Sequence, residues 1–121
     1  MSGAEGGLLR ASMKYQPPPV TFASEDEIAE ALASLPGWRR KGDRLTRELE
    51  LRDFDEALTF VGALGHAAVD YLRRPDICIT GFNNVILTIE NEHHAGLTLA
   101  ELRLAAKVHA FIESTLPDAG G

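Results

Sequence analysis

Two short stretches of this chain carry the side chains best suited to chemistry. Arg73-Arg74-Pro75-Asp76 sets two guanidinium groups beside a rigid proline and a carboxylate. Glu92-His93-His94 sets a carboxylate beside two imidazoles. Histidine exchanges protons near neutral pH, and a glutamate whose pKa is raised by burial can act as a base. Arginine keeps its proton to above about pH 12 and instead pairs bidentately with carboxylates. The second stretch therefore suits acid–base work, and the first suits recognition of anions. A zinc site needs three or four converging ligands, which His93-His94 does not supply, so no metal site is predicted. The plain reading of that pair is a surface turn. His66 and His109 fall in helix-patterned segments and read as solvated or structural.

Both stretches flank strand-patterned segments, and the elements that must hold them are legible. Three helix starts carry a capping signature, an acceptor side chain followed three residues later by glutamate: Ser24 with Glu27, Asp53 with Glu56, and Thr98 with Glu101. The first helix carries Ile28, Ala29, Ala31, Leu32 and Leu35, and ends near Pro36-Gly37. The second carries Phe54, Ala57, Leu58, Val61, Leu64, Ala68, Tyr71 and Leu72 at helical spacing, interrupted by Gly62 and Gly65. The third carries Leu99, Leu102, Ala105, Ala106, Val108, His109 and Ile112, and stops before Pro117. Between them lie strand patterns. Trp38 to Lys41 precedes a Gly42-Asp43 turn. Leu45, Arg47, Leu49 and Leu51 then alternate with polar residues. Ile77 to Thr80 and Val85 to Ile89 follow, separated by Gly81 and Asn83-Asn84. The predicted class is α+β, ordered α-β-β-α-β-β-α. A four-stranded, mainly antiparallel sheet would carry its helices on one face.

Composition excludes several classes of function. The chain has 121 residues, which fits one domain, and 45% are hydrophobic, enough for a core. Residues 1–23 read as a flexible N-terminal tail rich in glycine and proline, residues 24–116 as the domain, and residues 117–121 as a short C-terminal tail. The 18 acidic residues outnumber the 12 basic ones, for a net charge of −6. That argues against nucleic acid and against an anionic membrane surface as partners. No apolar run is long enough to span a bilayer, and no apolar segment near the N-terminus reads as a secretory signal. Cys78 is the single cysteine, so neither an internal disulfide nor a thiolate cluster is available. A reducing, cytoplasmic location is expected.

From about residue 26 to 115 the chain resembles the pterin-4a-carbinolamine dehydratase family. The resemblance rests on an ordered set of positions. These are Gly37-Trp38, Leu45-Thr46-Arg47, Phe54-Asp55-Glu56-Ala57 with Phe60, Pro75-Asp76, Asn83, Val85, Gly96-Leu97-Thr98, Glu101 and Leu104-Ala105. It implies a homodimer or tetramer and dehydration of a 4a-hydroxy-tetrahydropterin. The pterin would be a substrate, so no bound cofactor is expected. It also implies a site built on two histidines before the proline and a third a few residues before the Gly-Leu-Thr turn. Those positions are Arg73, Arg74 and Glu92 here, with His93 one place beyond. An acidic residue expected on the preceding helix falls at Val69, beside Asp70. One extra residue, assigned to Gly81, lies between Pro75 and Phe82.

These substitutions bear on the chemistry. Dehydration needs one proton delivered to the leaving hydroxyl and another removed from nitrogen, and arginine does neither at neutral pH. The primary expectation is a non-catalytic member acting by protein binding, with a surface that includes Arg73, Arg74, Pro75, Asp76, Glu92 and His93. Arg39 and Arg40 are candidates to join it. Dehydratase-like proteins of α-carboxysomes that assist Rubisco assembly have lost the same histidines, so the chain is similar to that branch. The resemblance implies the Rubisco large subunit as partner and carboxysome association. The alternative is an active dehydratase in which Glu92 and a neighbouring histidine, His93 or His94, supply the chemistry. A third is a pterin-binding sensor without turnover.

Overall fold

The computed structural model describes residues 20–67 and 74–116. The elements are α1 (Glu25–Ala33), β1 (Trp38–Lys41), β2 (Arg44–Glu50), α2 (Phe54–Ala67), β3 (Asp76–Thr80), β4 (Asn84–Ile89) and α3 (Leu99–Thr115). This is the expected α-β-β-α-β-β-α order. The apolar pattern that continues the second helix to Leu72 runs into residues 68–73, outside the described residues.

The helix starts follow from their capping side chains. At α1, Ser24 Oγ accepts from Glu27 N at 3.0 Å, and Glu27 Oε1 accepts from Ser24 N at 2.8 Å. At α3, Glu101 Oε1 accepts from both Thr98 N and Thr98 Oγ1 at 2.7 Å, while Thr98 Oγ1 accepts from Ala100 N at 3.2 Å. The α2 start differs. Asp53 Oδ1 accepts from Glu56 N at 2.8 Å, but Glu56 Oε1 reaches back one residue further, to Arg52 N at 2.6 Å. Each device satisfies backbone donors that the first helical turn leaves open.

All strand pairs are antiparallel, and the spatial order is β1-β2-β4-β3. The central ladder joins β2 to β4, pairing Leu45 with Ile89, Arg47 with Leu87, and Leu49 with Val85. Period-two alternation sends those six side chains to one face, and all six are buried. The five apolar ones join Ile28 of α1, Ala57, Phe60 and Leu64 of α2, and Leu104, Ala105, Val108 and Ile112 of α3 in a single core cluster. Full burial of each large apolar side chain contributes about 1.5–3 kcal/mol. The opposite face carries Thr46, Glu48 and Glu50 of β2, Ile86 of β4 and, across Ile86, the exposed Cys78 of β3. The β3–β4 turn places Gly81 at φ 58° and Phe82 at φ 63°. Left-handed backbone costs a non-glycine such as Phe82 about 1–2 kcal/mol.

One member of the buried face is a cation. Arg47 is only 5% exposed. Its guanidinium occupies the space in front of Gly37, where an added Cβ would lie 1.6 Å from Nη1. Gly37 also adopts φ +87°. Glycine is therefore required there twice, for the backbone and for the passage of the arginine. Burial holds the Arg47 pKa below its ordinary value, and the Glu113 carboxylate opposes the shift. The expected result for Gly37→Ala is a loss of more than about 1 kcal/mol in stability by denaturant unfolding, accompanied by a change in the environment of neighbouring Trp38.

Candidate functional site

The loop between β4 and α3 is shaped by Asn91. Its Oδ1 accepts from His93 N and His94 N, both at 2.9 Å, and its Nδ2 lies 3.4 Å from Glu101 Oε2. A short side chain accepting from the backbone two and three residues ahead makes a tight turn without help from a strand. Behind it, Phe22 packs against Gly96, where a Cβ would come within 2.5 Å of the ring, and Ala23 N donates to Leu97 O at 2.8 Å. His94 meets Phe22 edge-on, with centroids 6.3 Å apart.

This loop forms one wall of a small cavity of about 50 Å³ lined by Arg74, Ile89, Glu90, Glu92, His93, Glu101 and Leu104. Three of the predicted site residues, Arg74, Glu92 and His93, are thereby brought together. Pro75 is buried and Asp76 exposed at the start of β3, and neither lines the cavity. Arg73, Val69 and Asp70 lie outside the described residues. The remaining sequence candidates are dispersed. Arg40 is committed to Glu25 through a two-pronged contact at 2.6 and 3.1 Å, and its Nε donates to Gly42 O at 2.8 Å. The Arg40–Glu25 hydrogen bond lowers the Glu25 pKa and raises that of Arg40. Arg39 faces away from Arg40 on the same strand. Trp38 is buried in the core, as is His109, whose Nε2 sits 3.5 Å from Glu113 Oε2. Among the described residues, no three His, Cys, Asp or Glu side chains are placed to hold a metal ion.

Sequence reasoning passed over Glu90 and Asn91. Glu90 reads as one more polar residue at a strand end, and Asn91 as loop. The signal for Asn91 was local: asparagine ahead of two histidines and a glycine is a turn former by hydrogen bonding. Glu101 was legible as a capping residue, yet its second role, closing the floor of the cavity, emerges only when α3 folds back beneath β4. The cavity therefore holds three carboxylates, one guanidinium and one imidazole. One of those carboxylates, Glu101, already accepts two hydrogen bonds from Thr98 through one oxygen.

An α+β domain with a four-stranded antiparallel sheet and a loop–helix cavity at the end of its central strand defines the class. Residues 21–111 match the family described as Pterin 4 alpha carbinolamine dehydratase, and the chain belongs to that family. A protein of Thermomicrobium roseum named "Putative pterin-4-alpha-carbinolamine dehydratase" is 36% identical over 81 residues, covering 67% of this chain and 86% of its own length. A protein of the same name from Metallosphaera sedula is 32% identical over 85 residues, covering 70% and 88%. The crystal structure of a transcriptional coactivator/pterin dehydratase from Brucella melitensis superposes with a TM-score of 0.65 at 26% identity, covering 75% of this chain and 98% of that one. Among the described residues, no helix is long and apolar enough to cross a membrane.

Glu101 ties three features together, so its loss has a definite outcome. Glu101→Ala should lower stability by about 1–3 kcal/mol, from the lost cap and the orphaned Thr98 donors. That corresponds to roughly 4–8 °C in Tm per kcal/mol in a domain of this size. Glu101→Gln, which keeps an acceptor, should recover part of the loss in the same thermal melt.

Proposed function

We propose that this chain is a non-catalytic member of the pterin dehydratase family that acts by binding protein, as a Rubisco assembly factor of the α-carboxysome kind. One observation carries the non-catalytic reading. The cavity at the family site position has a volume of about 50 Å³, whereas small-molecule pockets run to roughly 300–1,000 Å³. Among the described residues, that space is small for a bicyclic pterin. Its side chains support the same reading. Arg74 cannot exchange a proton at neutral pH, and Glu101 is engaged by Thr98. The resemblance implies histidine at the positions of Arg73, Arg74 and Glu92. A frame kept with its acid–base groups replaced is best explained by selection on binding.

In this reading Arg73 and Arg74 present guanidinium groups to carboxylates of the Rubisco large subunit, with Asp76, Glu92 and His93 around them, while the buried Pro75 is scaffold and not contact. The protein works as the homodimer or tetramer that family membership implies, without a bound cofactor, in the cytoplasm and in association with carboxysomes. A second reading, an active 4a-hydroxytetrahydrobiopterin dehydratase, is favoured by the convergence of Glu92 and His93 on one cavity. In that reading Glu92 serves as the base and His93 as the one available acid.

The test of the binding function is recovery of the protein with the Rubisco large subunit. Co-purification is expected for the wild type and should be lost or reduced about tenfold or more in Arg73→Ala/Arg74→Ala, the scale of two interface arginines. Unchanged recovery of assembled Rubisco after deletion of this protein would count against the proposal.

A further inference from the structure

A second recess, apart from the family site, lies along β1. Its volume is about 310 Å³, and it is lined by Gly37, Arg39, Lys41, Thr46, Arg47 and Glu48. Three of the six are cations and one is a carboxylate, in a chain whose net charge is −6. Two features separate this cluster from a solvated edge. Charges that merely guard a strand edge against aggregation need only exposure. Here one cation, Arg47, is 5% exposed, and its guanidinium reaches the recess through the space that Gly37 leaves open. The Arg47 guanidinium has partners of its own, the Glu113 carboxylate among them, so Arg39 and Lys41 are the exposed cations of the recess.

The strand that carries the other two cations is also open to pairing. β1 is terminal in the order β1-β2-β4-β3, so among the described residues no strand pairs with its outer edge. Its burial alternates: Trp38 and Arg40 turn inward, while Arg39 and Lys41 are exposed. Arg40, engaged with Glu25, is not available to a ligand. Arg39 and Lys41 are two residues apart on a strand, a spacing of about 6.6 Å that matches alternate side chains of a second extended chain.

Building on the protein-binding reading above, we infer that the β1 edge captures an extended acidic segment of the partner as a fifth strand. Carboxylates at alternate positions of that segment meet Arg39 and Lys41, and Arg47 closes the inner end of the recess. Strand addition supplies main-chain hydrogen bonds, and the alternating charges supply register and selectivity.

The test needs no Rubisco, so its failure is separable from failure of the proposed function. Trp38, the chain's one tryptophan, pairs in register with Arg47 and serves as the reporter. The full-length protein is titrated with an eight-residue peptide bearing glutamate at alternate positions, with an isomer whose glutamates are contiguous, and with inorganic phosphate. Trp38 fluorescence and the backbone amide shifts of residues 38–41 are followed. The alternating peptide should bind at least about tenfold more tightly than either control and more weakly as salt is raised. Arg39→Glu/Lys41→Glu should weaken it by about tenfold or more, and Arg39→Gln/Lys41→Gln by less, with circular dichroism showing both variants folded. Equal binding of the two peptides would overturn strand addition. Phosphate binding as tight as the peptide would make this a small-anion site instead. A change of oligomeric state in the charge-reversed variant would assign the edge to a second copy of the chain. Absence of any saturable response would remove the site altogether.

Discussion

The register between β2 and β4 is the constraint on which the rest of this structure depends. Six consecutive residue pairs, from Leu45 with Ile89 to Glu50 with Asn84, fix which side chains face the helices. A slip of one residue would exchange Leu45, Leu49, Val85, Leu87 and Ile89 for Thr46, Glu48 and Thr88 on the core face. The ladder also sets both ends of the sheet. At one end Leu51 N donates to Asn83 O at 2.8 Å and Asn83 Nδ2 donates to Leu51 O at 3.0 Å, tying the start of α2 to the β3–β4 turn. At the other end it delivers Ile89 and Glu90 to the cavity and launches the Asn91 turn. β1 hangs from the outer side of β2, pairing Trp38 with Arg47, Arg39 with Thr46 and Lys41 with Arg44.

Local structure was more legible in the sequence than tertiary pairing. Capping signatures located all three helix starts, because a cap is a contact within a few residues. The Asp53 case shows the limit: the acceptor role of Asp53 was readable, while Glu56 chose the neighbouring N–H of Arg52. Alternation located the four strands, including Arg47 on an apolar face. What alternation cannot encode is that β2 pairs with β4, about forty residues away, and not with a sequential neighbour on both sides. The cavity followed the same rule. Arg74, Glu92 and His93 were recognisable by type, and they meet. Glu90 and Asn91 became site residues only through the fold. Arg40, grouped with Arg39 by adjacency, is separated from it because neighbours on a strand point to opposite faces.

Family membership and the site's contents point in different directions, and physical chemistry reconciles them. The sheet, the Gly37 passage and the Thr98–Glu101 cap maintain a pterin dehydratase frame, none of which depends on histidine. The catalytic demand is different. General acid–base assistance is worth about 10² to 10⁴ in rate, or about 3–5 kcal/mol of barrier. In the proposed reading, a cavity with Arg74 in place of histidine and with Glu101 engaged by Thr98 is furnished for binding and not for that exchange. Packing and capping contacts can thus be kept whether or not the chemistry is, which is what the proposed binding role requires. The proposed binding role rests on the positive charge at Arg73, Arg74 and the β1 edge and not on the fold.

The central claim, a dehydratase frame without dehydration, is tested most directly by stopped-flow measurement on freshly generated 4a-carbinolamine. The expected result is a rate equal to that in buffer, identical for wild type and Glu92→Gln. A rate clearly above buffer that Glu92→Gln abolishes would contradict it and make Glu92 the base of a working enzyme.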